Sequence, residues 1–190
     1  MKTTSVMIVG VGGQGSLLAS KLLGRLLVDE GYDVKVSEVH GMSQRGGSVV
    51  TYVRFGEKVY SPIITEGEAD VIISFEKLEA ARYSKFLKKD GKIVVNTQQI
   101  DPMPVIIGAA EYPENILAEL ENKGLSIDKM NALELADQAG SSKAVNIVLM
   151  GKAAKYFDVP YERWIKAIEN TVKEKFVEMN KKAFDLGYNS

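Results

Sequence analysis

The sequence of 190 residues predicts an α/β fold, in which a mixed, mostly parallel sheet with one antiparallel hairpin precedes a helical C-terminal extension. Three observations lead to this prediction. Short apolar runs of strand length alternate with helical segments, two neighbouring strand-like runs have no helix between them, and the last part of the chain is helical. We expect residues 1–190 to form a single domain, with an α/β core at 1–140 and the extension at 141–190.

The first β-α-β unit is the clearest pattern. Residues 6–9 are an apolar run of strand length that ends in a glycine-rich turn at 10–15, and leucines at helical spacing follow at positions 18, 22 and 26. Gly31 suits the end of that helix, and residues 34–39 alternate with the period of a strand. A strand, a tight turn, a helix and a second strand are the opening unit of a Rossmann-like sheet.

The middle of the chain departs from a simple Rossmann progression. No crossover helix fits between the second strand and residues 48–55, which are strand-like, and Gly56-Glu57 can turn that strand back into residues 58–64. We therefore expect an antiparallel hairpin there. The alternation then resumes with strands at 70–75, 91–96 and 105–110 and with helices at 76–88 and 114–123.

The C-terminal segments have helical periodicity. Residues 143–156 predict one helix, and Pro160 opens a long amphipathic helix that continues through Met179, with apolar residues stepping by three and four. The lysine runs at 173–175 and 181–182 are most simply the solvated face of that helix rather than a contact with nucleic acid.

Composition narrows the function further. The 24 Lys+Arg against 25 Asp+Glu give a net charge of -1, so no global field attracts nucleic acid or an anionic membrane. The absence of cysteine excludes a disulfide and a cysteine-ligated iron–sulfur cluster on this chain, and a single histidine leaves no multi-histidine metal site. With no signal-peptide core and no apolar run of about 18 residues, we expect a cytoplasmic protein without a metal of its own.

The glycine turn matches G-x-G-x-x-G at Gly10, Gly12 and Gly15. Such glycines allow a tight turn, close approach of a pyrophosphate to the backbone, and close packing of helix on strand. The amide groups at the helix start then favour an anion by about 0.3–1 kcal/mol. A tight turn without any ligand explains the same residues, so both interpretations stay open here. The candidate cofactor-binding residues are Gly10, Gly12, Gly13, Gln14, Gly15, Gly46 and Gly47.

An NAD-dependent enzyme is one alternative. An acidic residue at the end of the second strand usually binds the NAD ribose, and Glu38 stands at that position. The missing crossover helix and the lack of an obvious hydride-transfer site weigh against it.

A second loop, His-Gly-Met-Ser-Gln-Arg-Gly-Gly at residues 40–47, follows the second strand, where ligands of open α/β folds bind. Arg45 can fork onto a carboxylate or phosphate, and Ser43 and Gln44 offer short-range hydrogen-bond donors. The titration range of His40 permits acid–base chemistry and proves none. These four residues are candidates for an active-site wall, although bracing of the loop is an equal explanation for each, and no catalytic residue is assigned.

The glycine turn at 10–15 and the loop at 40–47 together resemble the gamma-type domain of 2-oxoacid:ferredoxin oxidoreductases, and its indolepyruvate-type members in particular. The resemblance continues through residues 70–76, through 142–151 with Asn146, and through the tail at 183–188, so it covers nearly the whole chain. Pyruvate- and 2-oxoglutarate-type relatives typically have a Gly-Pro-Glu-x-Arg-Gly-type loop where this chain has residues 40–46, which favours arylpyruvates.

The resemblance implies that the chain joins a larger alpha subunit that carries thiamine diphosphate, Mg and 4Fe-4S clusters. The complex would decarboxylate an arylpyruvate oxidatively, reduce ferredoxin and transfer the acyl group to coenzyme A. The isolated chain is then expected to be inactive and open to pairing with a second copy. In this hypothesis Gly12, Gly13 and the helix start meet a phosphate-bearing group, while Ser43, Gln44 and Arg45 line the approach to the substrate.

Two further alternatives stay open at this point. In the first, the chain is the gamma subunit of a pyruvate or 2-oxoglutarate:ferredoxin oxidoreductase. In the second, it is a non-catalytic module that binds a nucleotide or coenzyme A.

Overall fold

The computed structural model describes residues 3–39 and 46–190. Its strands form one mixed sheet in the order β2-β3-β1-β4-β5-β6. Only β3 runs against the others, because it pairs antiparallel with both β1 and β2 while the remaining pairs are parallel. The strand bounds are β1 Thr4–Val11, β2 Asp33–Val39, β3 Ser48–Gly56, β4 Ala69–Ser74, β5 Leu87–Asn96 and β6 Ser126–Met130.

Helices cover both faces of this sheet. The first face carries α1, α5, α6, α7 and α8, and the second carries α2 and α4. The helix bounds are α1 Ser16–Asp29, α2 Lys77–Tyr83, α3 Met103–Ile106, α4 Ile116–Asn122, α5 Ala132–Ala139, α6 Val145–Ala154, α7 Tyr161–Thr171 and α8 Val177–Tyr188, with short 3-10 turns at Ser84–Phe86, Ser142–Ala144 and Glu174–Phe176.

The central strand β1 shows why its sequence is a continuous apolar run. Successive side chains of a strand point to opposite faces, so Val6 and Ile8 enter the core on the first face while Met7 and Val9 enter the core on the second. All four are fully buried. A strand that is covered on both faces by helices therefore has no polar alternation, as expected for a mostly parallel sheet.

The prediction of a mixed, mostly parallel sheet is confirmed, but the predicted hairpin partner is wrong. The strand at 48–55 pairs with β1 and β2, and residues 58–64 form a loop. The loop buries Val59 and Ile64, and Ile64 belongs to the core on the second face. Its shape is held by side chains, because the Asp33 carboxylate accepts from the Val59 amide at 2.9 Å and Arg54 donates to the Ile63 carbonyl at 2.8 Å. Val59 and Ile64 are thus buried without strand pairing, although the apolar residues of this run are typical of a strand.

The strand expected at 105–110 is also wrong. Helix α3 and a turn occupy this region, where the Pro104 carbonyl accepts from the amides of Ala109 and Ala110. The last strand of the sheet is instead β6, which the sequence does not reveal because only Met130 of its five residues is fully buried. Its pairing with β5 decides its conformation.

The C-terminal part contains two helices, where the sequence predicts one long helix from Pro160. The chain is extended at Val172 and Lys173, so α7 ends before a short 3-10 turn leads into α8. Helix α6 is buried at every residue and lies between the sheet and α8. The helical C-terminal extension is confirmed, whereas its division from the core at residue 140 stays a prediction.

Candidate functional site

The glycine turn lies where the chain order of the sheet reverses. Strand β1 has β3 on one side and β4 on the other, and the helices that follow β1 and β4 cover opposite faces. This switch point opens a crevice at the carboxyl ends of the two strands, which is where open α/β sheets bind ligands. The turn after β1 contains Gly13 and Gly15 at φ of 102° and 87°, a backbone region that L side chains rarely adopt.

Gln14 braces this turn. Its side-chain oxygen accepts from the Val11 amide at 2.7 Å, and its side-chain nitrogen donates to the Phe75 carbonyl at 3.0 Å. A Cβ at Gly10 would lie 2.9 Å from that same Gln14 oxygen. The first glycine of the motif therefore makes room for the brace, and the binding of a cofactor by Gly10 and Gln14 stays a prediction.

Gly15 brings helix α6 onto the start of α1. The buried Asn146 donates from Nδ2 to the Gly15 carbonyl at 3.2 Å, and a Cβ at Gly15 would lie only 2.7 Å from that nitrogen. In the sequence, Asn146 was noticed only through the resemblance. The structure shows that it joins two segments 131 positions apart.

The two glycine motifs meet in space, as the hypothesis of a shared wall requires. The Gly12 amide donates to the Gly47 carbonyl at 2.8 Å, and the Gly46 amide donates to the Gly12 carbonyl at 3.2 Å. These bonds extend the β1–β3 ladder beyond Ser48. The predicted wall residues His40, Ser43, Gln44 and Arg45 lie outside the described residues, so their roles stay predictions.

A cleft of about 470 Å³ opens beside the turn. It lies between the start of α1 and the 3-10 turn that precedes α6. The Lys143 ammonium group has no carboxylate partner among the described residues, and α1 has no acidic residue in its first turn. The helix start leaves the amides of Ser16 and Leu17 without partners inside the helix. The lining residues are Gly13, Gln14, Gly15, Gln98, Leu133, Ser142, Lys143 and Val145.

This arrangement can hold an anion. Backbone amides at a helix start and a lysine ammonium group are both complementary to a phosphate. Sequence reasoning missed Ser142 and Lys143, which belong to a segment far along the chain. A small polar residue and a lysine at a helix start, shortly after the helix-ending Gly140, are the signal that was available.

The structure weakens the NAD alternative. Strand β3 separates β2 from β1, so Glu38 is not on the strand next to the glycine turn. Its carboxylate accepts from the Ser20 hydroxyl of α1 at 3.0 Å. An NAD ribose needs the acidic residue on the neighbouring strand, and this sheet order does not provide it.

The described residues contain no group of three or more His, Cys, Asp or Glu residues that could hold a metal ion. None of their helices is both long enough and apolar enough to cross a membrane.

The fold and the cleft define a class of protein, namely a Rossmann-like α/β protein with a glycine turn at the switch point of its sheet and no cysteine for a redox cluster of its own. The family model for pyruvate ferredoxin/flavodoxin oxidoreductase matches residues 5–190, and the chain belongs to this family. The predicted membership of the 2-oxoacid:ferredoxin oxidoreductases, an enzyme class, is thereby confirmed.

Named relatives refine this assignment. The chain is 43% identical over 189 residues to indolepyruvate oxidoreductase subunit IorB of Archaeoglobus fulgidus, which covers 97% of this chain and 94% of the relative. It is 45% identical over 195 residues to subunit IorB of Pyrococcus horikoshii, with 98% and 95% covered. Both relatives are named as subunits of an oxidoreductase, and the predicted resemblance to the indolepyruvate-type subunit is confirmed.

A solved structure supports the fold. The gamma subunit of a keto/oxoacid ferredoxin oxidoreductase from Geobacter sulfurreducens superposes with a TM-score of 0.72 at 24% identity, covering 98% of this chain and 96% of that chain.

Proposed function

We propose that this chain is the smaller subunit of an indolepyruvate:ferredoxin oxidoreductase, which decarboxylates an arylpyruvate oxidatively, forms its acyl-CoA and reduces ferredoxin. The observation that carries the proposal is the identity of 43% and 45% to two IorB subunits over nearly the whole chain. The larger alpha subunit supplies thiamine diphosphate, Mg and the 4Fe-4S clusters. This division suits a chain that has no cysteine.

The chain's own contribution is a binding site for the phosphate-bearing part of coenzyme A. Gly13 and Gly15, directly before the start of α1, and Lys143 line one cleft. A hydrogen bond to a charged group contributes about 1.5–3 kcal/mol, and the lower end applies here because the cleft is open to water. The helix start adds about 0.3–1 kcal/mol.

The second loop completes the wall of the site in this proposal. Ser43, Gln44 and Arg45 line the approach to the 2-oxo acid beside His40. Support comes from the bonds of Gly46 and Gly47 to Gly12, which hold the end of that loop against the glycine turn.

The proposal is tested by anaerobic co-expression with the candidate alpha subunit. The purified complex is assayed for coenzyme-A-dependent reduction of ferredoxin or a viologen dye with indolepyruvate, phenylpyruvate, pyruvate and 2-oxoglutarate. We expect activity that needs both chains and favours the aryl substrates. A preference for pyruvate or 2-oxoglutarate would keep the family and refute the substrate. An assembled complex without any activity would favour a non-catalytic binding module.

A charge-neutral variant tests the coenzyme A site directly. In the same complex, we expect Lys143→Gln to raise the KM for coenzyme A roughly tenfold, the change that a loss of about 1.4 kcal/mol produces. The control is Lys89→Gln, an exposed lysine near the start of β5, whereas the cleft is lined by Gln98 beyond the end of that strand. Equal KM values in the two variants would remove Lys143 from the site.

A further inference from the structure

A buried carboxylate contacts Ser48, the residue that follows Gly46 and Gly47, here called the glycine pair. This carboxylate does not line the cleft. Glu79, in the first turn of α2, is only 4% exposed. Its Oε2 accepts a hydrogen bond from the Ser48 hydroxyl, and its Oε1 lies 3.2 Å from the Arg82 Nε. The Tyr83 hydroxyl lies 3.4 Å from the Ser48 oxygen. Helix α2 on the second face is thus tied to the first residue of β3.

The hydrogen bond between Ser48 and Glu79 restrains the chain next to the glycine pair. Ser48 directly follows Gly46 and Gly47, whose backbone bonds to Gly12 bring the two motifs together. Glycine restricts its own backbone less than any other residue, and Gly46 has a φ of 81°. The location of the glycine pair therefore depends on what holds its neighbours. The β1–β3 ladder is one such restraint, and the bond from Ser48 to Glu79 is the other.

Burial of the Glu79 carboxylate costs free energy because the group loses its hydration. Burial raises the pKa of the Glu79 carboxyl, while the Ser48 hydroxyl and Arg82 lower it and the nearby Glu76 raises it again. An apolar side chain of similar volume avoids the loss of hydration, and such replacements are often neutral or stabilising. A carboxylate at this place is therefore explained better by what it orients than by stability.

We propose that Glu79, acting through Ser48, is a positioning residue that holds Gly46 and Gly47 against Gly12 and thereby sets the affinity of the cleft for its phosphate-bearing ligand. The ligand rests on the function proposed above, whereas the positioning of the glycine pair does not.

Kinetics of the assembled complex give the first test. We expect Ser48→Ala and Glu79→Ala each to raise the KM for coenzyme A about five- to tenfold, the effect of losing one hydrogen bond that orders a binding segment. Glu79→Gln keeps an amide oxygen that accepts from Ser48, so it should stay within about twofold of the unmodified complex. Ser48 is exposed, so its variant does not depend on repacking the core.

Asp128→Asn is the matched control. Asp128 is likewise tied to side chains of another element, since it pairs with Lys152 at 3.0 Å and accepts from the Tyr156 hydroxyl at 2.6 Å. These partners lie near the end of α6, away from the cleft at its start. Asp128→Asn should lower the melting temperature and leave the KM for coenzyme A unchanged. A KM shift in Asp128→Asn that equals the shift in Ser48→Ala would overturn the proposal.

Amide hydrogen exchange of the full chain without its partner separates this inference from the proposed function. The Gly46 amide is bonded to Gly12, so peptides that contain it should exchange several-fold faster in Ser48→Ala and Glu79→Ala than in Glu79→Gln or Asp128→Asn. Unchanged exchange at Gly46 in Ser48→Ala would refute the positioning role. If the unmodified complex has no oxidoreductase activity, the proposed function fails, and the exchange measurement still decides the role of Glu79.

Discussion

Helices α6 and α8 pack closely at Gly187, so a side chain at this position is predicted to destabilise the fold. A Cβ at Gly187 would lie 1.9 Å from the Val148 carbonyl oxygen and 2.8 Å from its carbon, where ordinary contact begins at 3.4 Å. The obstructing atoms are backbone atoms of a helix that is buried at every residue, so they cannot turn aside. Gly187→Ala therefore forces the two helices apart or strains both.

The magnitude follows from two opposing effects. Overpacking of a dense core costs about 1–3 kcal/mol or more, and a clash with backbone belongs at the upper end. Alanine in a helix recovers about 0.5–1 kcal/mol relative to glycine. We expect Gly187→Ala to lower the free energy of unfolding by about 2 kcal/mol, and the melting temperature by roughly 4–8 °C for a chain of this length.

Urea unfolding and differential scanning calorimetry of the isolated chain measure this effect. Gly24→Ala is the control, because Gly24 is also helical and its added Cβ would meet its nearest neighbour, Val36, at an ordinary 3.7 Å. Gly24→Ala should be neutral or slightly stabilising. A Gly187→Ala variant as stable as Gly24→Ala would refute the close helix crossing.

Three further predictions concern the site and its support. Gly15→Ala combines a positive φ with a contact of 2.7 Å to Asn146, so it should lower the free energy of unfolding by about 2 kcal/mol, seen as an earlier urea midpoint. Tyr112→Phe removes a hydroxyl that donates to the buried Glu76 and should cost about 1–3 kcal/mol in the same measurement. Burial raises the pKa of Glu79 above its usual 4.5, so its ionisation opposes folding. That penalty is absent well below pH 4.5, grows as pH rises from 4.5 to the raised pKa, and is constant above it. Glu79→Gln should therefore gain stability relative to the unmodified chain as pH rises above 4.5, as measured by urea unfolding at successive pH values.

Each of these predictions has an outcome that would contradict it. An unchanged urea midpoint for Gly15→Ala would mean that Asn146 can move aside at no cost. A neutral Tyr112→Phe would show that water replaces the phenol at Glu76. A stability difference between Glu79→Gln and the unmodified chain that does not vary with pH would show that burial leaves the Glu79 carboxyl unperturbed.

Local patterns were enough for the first part of the fold. The apolar run of β1, the glycine spacing and the leucine spacing of α1 are all properties of neighbouring residues, so the β-α-β unit and its turn could be predicted. The lack of a crossover helix before β3 likewise predicted a mixed sheet. The family resemblance rests on the same two motifs, since both are contiguous in the chain.

Other features depend on partners that are distant in sequence. Residues 58–64 bury Val59 and Ile64 without strand pairing, so their apolar content alone could not distinguish a loop from a strand. Strand β6 carries little apolar signal, and its conformation comes from its ladder with β5.

The sequence by itself determined the α/β class, the glycine turn after β1 and the absence of any cysteine for a redox cluster. Only the tertiary structure decided that β3 lies between β1 and β2, that Lys143 faces Gly13 across one cleft, and that Glu79 supports Ser48. The physical reason is that turn geometry and helix periodicity are set over a few residues. Strand order and side-chain contacts are set by packing between segments that the sequence separates widely.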